Sequence, residues 1–175
     1  MASEPTTLEQ ELFGHDHAAS PNDTHVSILL EQYKLFVGTS EALVARRQQV
    51  NTFFLSVNSI ILAATSLLIR EGTVNNITAP ALVVLGLSGI VLCIAWGRMI
   101  RSFGQLNQGK FDVIHAIERR LPARIFIAEW AVLGRGADAS KYKPFTTTES
   151  WPPWIFGLLD ALVLLAGIVL LFCAT

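Results

Sequence analysis

The sequence predicts an all-α, three-span helical membrane protein whose long first helix extends out of the bilayer into a helical cytosolic layer. Three observations predict it. Of the 175 residues, 51% are hydrophobic and only 15% are charged, against about 25% charged in soluble domains. Three runs are apolar and long enough to cross a hydrocarbon core of roughly 30 Å. Two of them, Gln48 to Ile69 and Gly72 to Gly97, carry no charge, and the third, Trp154 to Ala174, carries only Asp160. Finally, Thr24 to Ile69 contains no proline and a single glycine, Gly38. One helix over that range would be roughly 70 Å long, more than twice the membrane's apolar thickness.

Residues 1–23 read as a mobile polar tail punctuated by Gly14, Pro21 and Asn22, with Leu12-Phe13 a possible docking motif. His15-Asp16-His17 has no cysteine or second histidine cluster to complete a ligand set, so a solvated tail is favoured and no metal site is assigned. The opening residues lack the basic start and apolar core of a signal peptide. Asp23 or Thr24 can cap a cytosolic amphipathic helix over residues 24–51. On it Leu29, Phe36, Leu43 and Val50 recur every seven residues. Leu30, Val37 and Val44 form a second row, and Val26 and Tyr33 fill the gap. A stripe this wide needs a partner in water, so the Leu29, Phe36, Leu43 and Val50 row is read as oligomer packing.

The spans are placed at residues 52–69, 80–97 and 154–174. Of the 13 Lys and Arg, Lys34, Arg46 and Arg47 precede the first span, nine lie between the second and third, and only Arg70 lies in the link between. The positive-inside rule then puts the amino terminus and residues 98–151 in the cytoplasm and the carboxyl terminus outside. In that central segment Phe111, Ile114, Ile117 and Leu121 share one helix face, with Glu118, Arg119 and Arg120 on the other side. Pro122 suits the first position of a further helix, since its missing amide costs nothing there, and Gly134 and Gly136 end it. Ser150 can cap the last span, with Pro152 and Pro153 in its first turn and Trp151 and Trp154 at the interface. About 50 residues bury too little surface alone, so this segment is expected to fold against the first helix.

Asp160 is the most informative residue, because intramembrane carboxylates face a bundle interior or a polar path. It lies six residues past Trp154, as Asn58 lies six past Thr52, roughly 9 Å into the bilayer for both. The antiparallel second span brings Cys93, Trp96 and Arg98 toward the same level. The favoured reading is an Asp160–Asn58 hydrogen bond that locks helix packing. The alternative is an ion or small-solute channel or transporter with Asp160 lining the path. Small residues mark further packing faces: Ser56, Ser59, Ala63 and Ser66 on the first span, Gly86, Ser88 and Gly89 on the second, Gly157, Ala161, Ala166 and Gly167 on the third. Arg46, Arg47, Arg98 and Arg101 are assigned to topology and lipid headgroups. Arg119-Arg120 reads as a solvated face or an ion pair with acids such as Glu118 or Glu129, and His115 is assigned no functional role. Cys93 and Cys173 read as core or lipid-buried thiols. There is no phosphate loop, HExxH or Gly-x-Ser-x-Gly, so neither enzymatic activity nor a cofactor is expected. A net charge of -1 argues against a nucleic-acid partner.

The runs LLEQYKLFVGTSEALVARRQQVNTFFLSVNSIILA, WGRMIRSFGQLNQGKFDVIHAIERRLPARIFIAEW and YKPFTTTESWPPWIF resemble the RipA family of bacterial octameric inner-membrane proteins. The resemblance covers nearly all of the chain after residue 23. It implies a homo-oligomer of eight subunits in the bacterial cytoplasmic (inner) membrane, with its own copies as partners beside the membrane lipids already assigned to the arginines. It also implies no enzymatic activity and a part in adaptation to a host or to stress. Long motifs of this kind speak to fold and assembly more than to mechanism.

Overall fold

The computed structural model describes residues 8–13, 23–70, 77–136, 140 and 149–173. All regular structure among them is helical: α1 (Leu8–Phe13), α2 (Asp23–Arg70), α3 (Thr78–Glu118), α4 (Ile125–Val132), a 3-10 turn (Gly134–Gly136) and α5 (Trp151–Cys173). α2, α3 and α5 are each long and apolar enough to cross a membrane. α2 passes through Gly38 without a break; a mid-helix glycine costs about 1 kcal/mol, little against a helix of 48 residues. Its ends suit the helix dipole, with Asp23 in the first turn and Arg70 in the last. The chain divides into two compact units, residues 1–44 with 105–143 and residues 45–104 with 144–175.

In the first unit Leu29, Tyr33, Ile114 and Ile117 form the buried core, with Phe36, Phe111 and Phe126 packed around it. The inward positions of α2 are Leu29, Tyr33, Phe36, Ser40 and Leu43, a seam at alternating spacings of four and three. Leu30 and Val44, read as part of a wide apolar stripe, are instead exposed, each lying about 100° around the helix from its seam neighbour, while Val37 of the same row packs on the core. The segment read as a mobile tail contains a docked helix: Phe13 of α1 packs on the core, and the Arg120 guanidinium lies 3.4 Å from its ring centroid. Arg120 is therefore not simply solvated. His15-Asp16-His17 lies outside the described residues.

Glu118 corrects the sequence reading most sharply. The spacing sets it with Arg119 and Arg120 on the side away from the apolar face, yet it is fully buried. Its carboxylate accepts the Tyr33 hydroxyl at 2.7 Å and the backbone amides of Phe126 at 2.8 Å and Ile127 at 3.0 Å. Those amides are the second and third of α4, the positions a capping side chain serves. Arg124, the residue before α4, makes no side-chain cap. The last residue of α3 thus caps the following helix, which is why α4 begins at Ile125 and not at Pro122. At the other end Gly134, at φ 70°, takes the left-handed conformation that terminates a helix.

In the second unit α3 turns Ala79, Leu82, Gly86, Gly89, Cys93, Trp96 and Ile100 inward, again at alternating spacings of three and four. α5 buries Pro153, Asp160 and Gly167. The two helices are in close contact where side chains are missing. A Cβ on Gly86 would stand 2.6 Å from the Leu164 amide nitrogen, and one on Gly167 would stand 2.8 Å from that of Val83. On the α2 side Phe54 stacks on Trp96, with ring centroids 5.9 Å apart, and Val50, Leu92 and Phe156 complete the cluster.

Glu118→Ala leaves a buried hydroxyl without its acceptor, at about 1–3 kcal/mol, and removes the cap from two part-buried amides of α4. The detergent-solubilised protein should melt well below wild type, whereas Tyr33→Phe should cost about 1 kcal/mol. Burial, then the hydrogen bond to Glu118, raises the Tyr33 hydroxyl well above its usual range. Its contribution is therefore complete below about pH 10, the unfolded value, and is lost as pH rises beyond it; Tyr33→Phe should flatten that alkaline fall. In the second unit, Gly86→Ala should lower the melting temperature because its Cβ meets backbone. Gly157→Ala should be tolerated, since the nearest atom to its Cβ is Cys93 Cβ at 3.5 Å.

Candidate functional site

Each spanning helix contributes one polar residue to a single enclosed cluster: Asn58 from α2, Cys93 from α3 and Asp160 from α5. Asn58 and Asp160 are fully buried and Cys93 is 6% exposed. Asn58 donates its amide to the Phe54 carbonyl one turn back at 2.8 Å, which holds its oxygen toward α3. The Cys93 sulfur sits 3.3 Å from Asn58 Oδ1 and 3.7 Å from Asp160 Oδ2. The direct Asp160–Asn58 hydrogen bond expected from depth is not made; the thiol stands between the two. A thiol has one proton to donate, so it serves one oxygen at a time. Among the described residues Asp160 Oδ1 has no hydrogen-bond partner. Gly89 makes room for this arrangement, because a Cβ there would collide with the Asp160 carboxyl group.

Trp96 does not join the cluster. Its indole N–H donates to Asn51 Oδ1 at 2.9 Å, a second polar link between α2 and α3 that sequence reasoning missed. The signal available was spacing: Asn51 lies three residues before buried Phe54, on the same face of α2. Glu118 carried a similar signal, four residues after Ile114 on α3.

The four arginines separate into two kinds. Arg47 occupies the inward seam of α2 and pairs with Glu149, its side chain only 12% exposed. Arg46, Arg98 and Arg101 are exposed. The row assigned to oligomer packing is used within one protomer: Leu29 and Phe36 belong to the core of the first unit, Leu43 is buried, and Val50 packs on the Phe54–Trp96 cluster. The small-residue faces also separate. Gly86, Gly89 and Gly167 are consumed inside the protomer, while Ser56, Ser59, Ala63 and Ser66 face outward. His115 is half-buried against Phe111, with ring centroids 6.1 Å apart. Among the described residues, no cluster of three or more His, Cys, Asp or Glu could hold a metal ion.

The chemistry this arrangement supports is hydrogen bonding at one level of three apolar helices, where polar groups find few other partners and so set register. Comparison with known proteins adds a family: the model described as the Octameric membrane protein family (8xMP) matches residues 30–172. Neither the curated proteins nor the solved structures yield a match.

Cys93→Ala would leave Asn58 Oδ1 and Asp160 Oδ2 without their donor, whereas Cys93→Ser retains one. The alanine variant should melt lower than the serine variant in detergent, by about 1–3 kcal/mol of stability. Maleimide should label exposed Cys173 in the native protein and reach buried Cys93 only after denaturation.

Proposed function

The chain belongs to the octameric membrane protein family, and from that premise we propose a structural or regulatory inner-membrane assembly of eight copies that pack through the outward face of α2. It is a multi-pass membrane protein that associates with itself. One observation carries the choice of face. Thr52, Ser56, Ser59, Ala63 and Ser66 are all exposed and recur at alternating spacings of four and three, on the side of α2 opposite its inward seam. In lipid no hydrophobic force draws helices together, so association relies on close packing, which small residues allow. α5 contrasts with it, exposing Leu158, Leu162, Leu165 and Val169, side chains suited to acyl chains.

In this reading the amino terminus and residues 98–151 lie in the cytoplasm, supported by twelve of 13 Lys and Arg on that side. The cytoplasmic layer presents surfaces to partners, the chain is not an enzyme, and the physiological setting is bacterial adaptation to a host or to stress. A channel through Asp160 is disfavoured because that side chain is enclosed between helices of one protomer and does not reach its outer surface.

Ser59→Trp tests the interface without disturbing the protomer core, since Ser59 is exposed. By native mass measurement it should shift the particle to smaller assemblies, while Leu162→Trp on α5 should leave the mass unchanged. The reverse pattern would move the interface to α5.

A further inference from the structure

We infer that the outward face of α3 at the arginine-bearing end of its apolar run is a binding site for an anionic phospholipid. Val91, Ile94, Ala95, Arg98, Met99 and Ser102 line an open groove of about 460 Å³. These positions lie on one face of α3 and span roughly 16 Å at the helical rise. The composition changes along that length. Val91, Ile94 and Ala95 are apolar and belong to the uncharged run, whereas Arg98 and Ser102 bring a guanidinium and a hydroxyl at its end. An acyl chain beside the first group and a phosphate at the second is the amphiphile that matches this order.

Charge decides between a lipid and another copy of the chain. Among the described residues Arg98 makes no ion pair or hydrogen bond, in contrast to Arg47 on Glu149. α3 carries no acidic residue from Thr78 until Asp112, more than three turns past Arg98. The acids among the described residues of the second unit are Glu149, which pairs with Arg47, and Asp160, which is fully buried. A second copy's apolar unit therefore brings no described carboxylate to this guanidinium, whereas a phospholipid brings its own phosphate. Arg101, one turn further on and also exposed, adds to the local positive potential. Inorganic phosphate would satisfy Arg98 but leave the apolar half of the groove unused, so the site commits to a lipid.

The test is native mass spectrometry of the assembled protein, delipidated in mild detergent and then supplied with phosphatidylglycerol or phosphatidylcholine. Wild type should retain several-fold more phosphatidylglycerol. Arg98→Gln should abolish that preference, and Arg98→Lys should restore most of it. Ala95→Leu, which fills the groove and keeps the charge, should also reduce retention. Both positions concerned, Arg98 and Ala95, are exposed, so assembly mass serves as the folding control. Equal retention of the two lipids by wild type overturns the proposal. So does unchanged retention in Arg98→Gln, or displacement of the lipid by millimolar inorganic phosphate. Efficient disulfide formation between copies of Ala95→Cys would assign the groove to a neighbouring subunit instead.

Discussion

The second unit depends on a close approach of α3 and α5 that only missing side chains permit. Gly86 lies against the backbone of α5 at Asp160 and Leu164, and Gly167 lies against Val83. In lipid the apolar surfaces of two helices gain nothing by leaving the solvent, so contact rests on dispersion and on polar pairs. Glycine supplies both, because it lets the backbones close and brings neighbouring polar groups within reach. Gly89 is the clearest instance, since the Asp160 carboxyl group occupies the space its side chain would fill. The cluster with Cys93 and Asn58 is therefore a consequence of the glycine face as much as a cause of the packing.

The first unit solves a different problem. α4 is short and apolar, and none of its residues is buried, so its own propensity and packing give it little stability. Glu118 compensates by holding the free amides at its start while tying α2 through Tyr33. A carboxylate accepting three hydrogen bonds can tolerate burial that an unpaired one could not. The docked Phe13 and the Arg120 guanidinium above it close the same core from the amino-terminal side.

Much of the architecture was legible in the sequence, and what was not has identifiable causes. Uncharged run length, with proline confined to the first turns at Pro80, Pro152 and Pro153, determines three long helices, because backbone groups in lipid must bond within their own segment. Counting six residues inward from Trp154 and Thr52 also puts Asp160 and Asn58 at comparable depth. Periodicity could not show the mediating atom: Cys93 behaves as a small hydrophobe in any apolar pattern, and only the folded geometry shows its thiol between two polar side chains. Glu118 was misread because a charged residue beside Arg119 and Arg120 defaults to solvent. Its offset from Ile114 pointed inward, but the amides of α4 that stabilise it come from a segment whose start was itself misplaced. Likewise Ser40 and Arg47 hold inward positions on α2 that a search for hydrophobic rows passes over.

α2 then shows why fold and assembly are difficult to separate in this chain. One side of the helix carries the seam from Leu29 through Phe54, and those side chains are engaged by the protomer's own core. A residue there cannot report on association, because changing it disturbs the fold first; Phe36, beneath the Lys110 ammonium 4.8 Å from its ring centroid, is such a case. The opposite side carries Thr52, Ser56, Ser59, Ala63 and Ser66, which touch no core. Two of its hydroxyls, on Ser59 and Ser66, already donate to carbonyls one turn back at 2.8 Å. That face is thus small and polar, with two of its hydroxyls satisfied within the helix, which lowers the cost of burying them against another helix. A helix with one side committed to its own chain and the other smooth and small is suited to line a repeated interface, where each copy must fit the next with no room for adjustment.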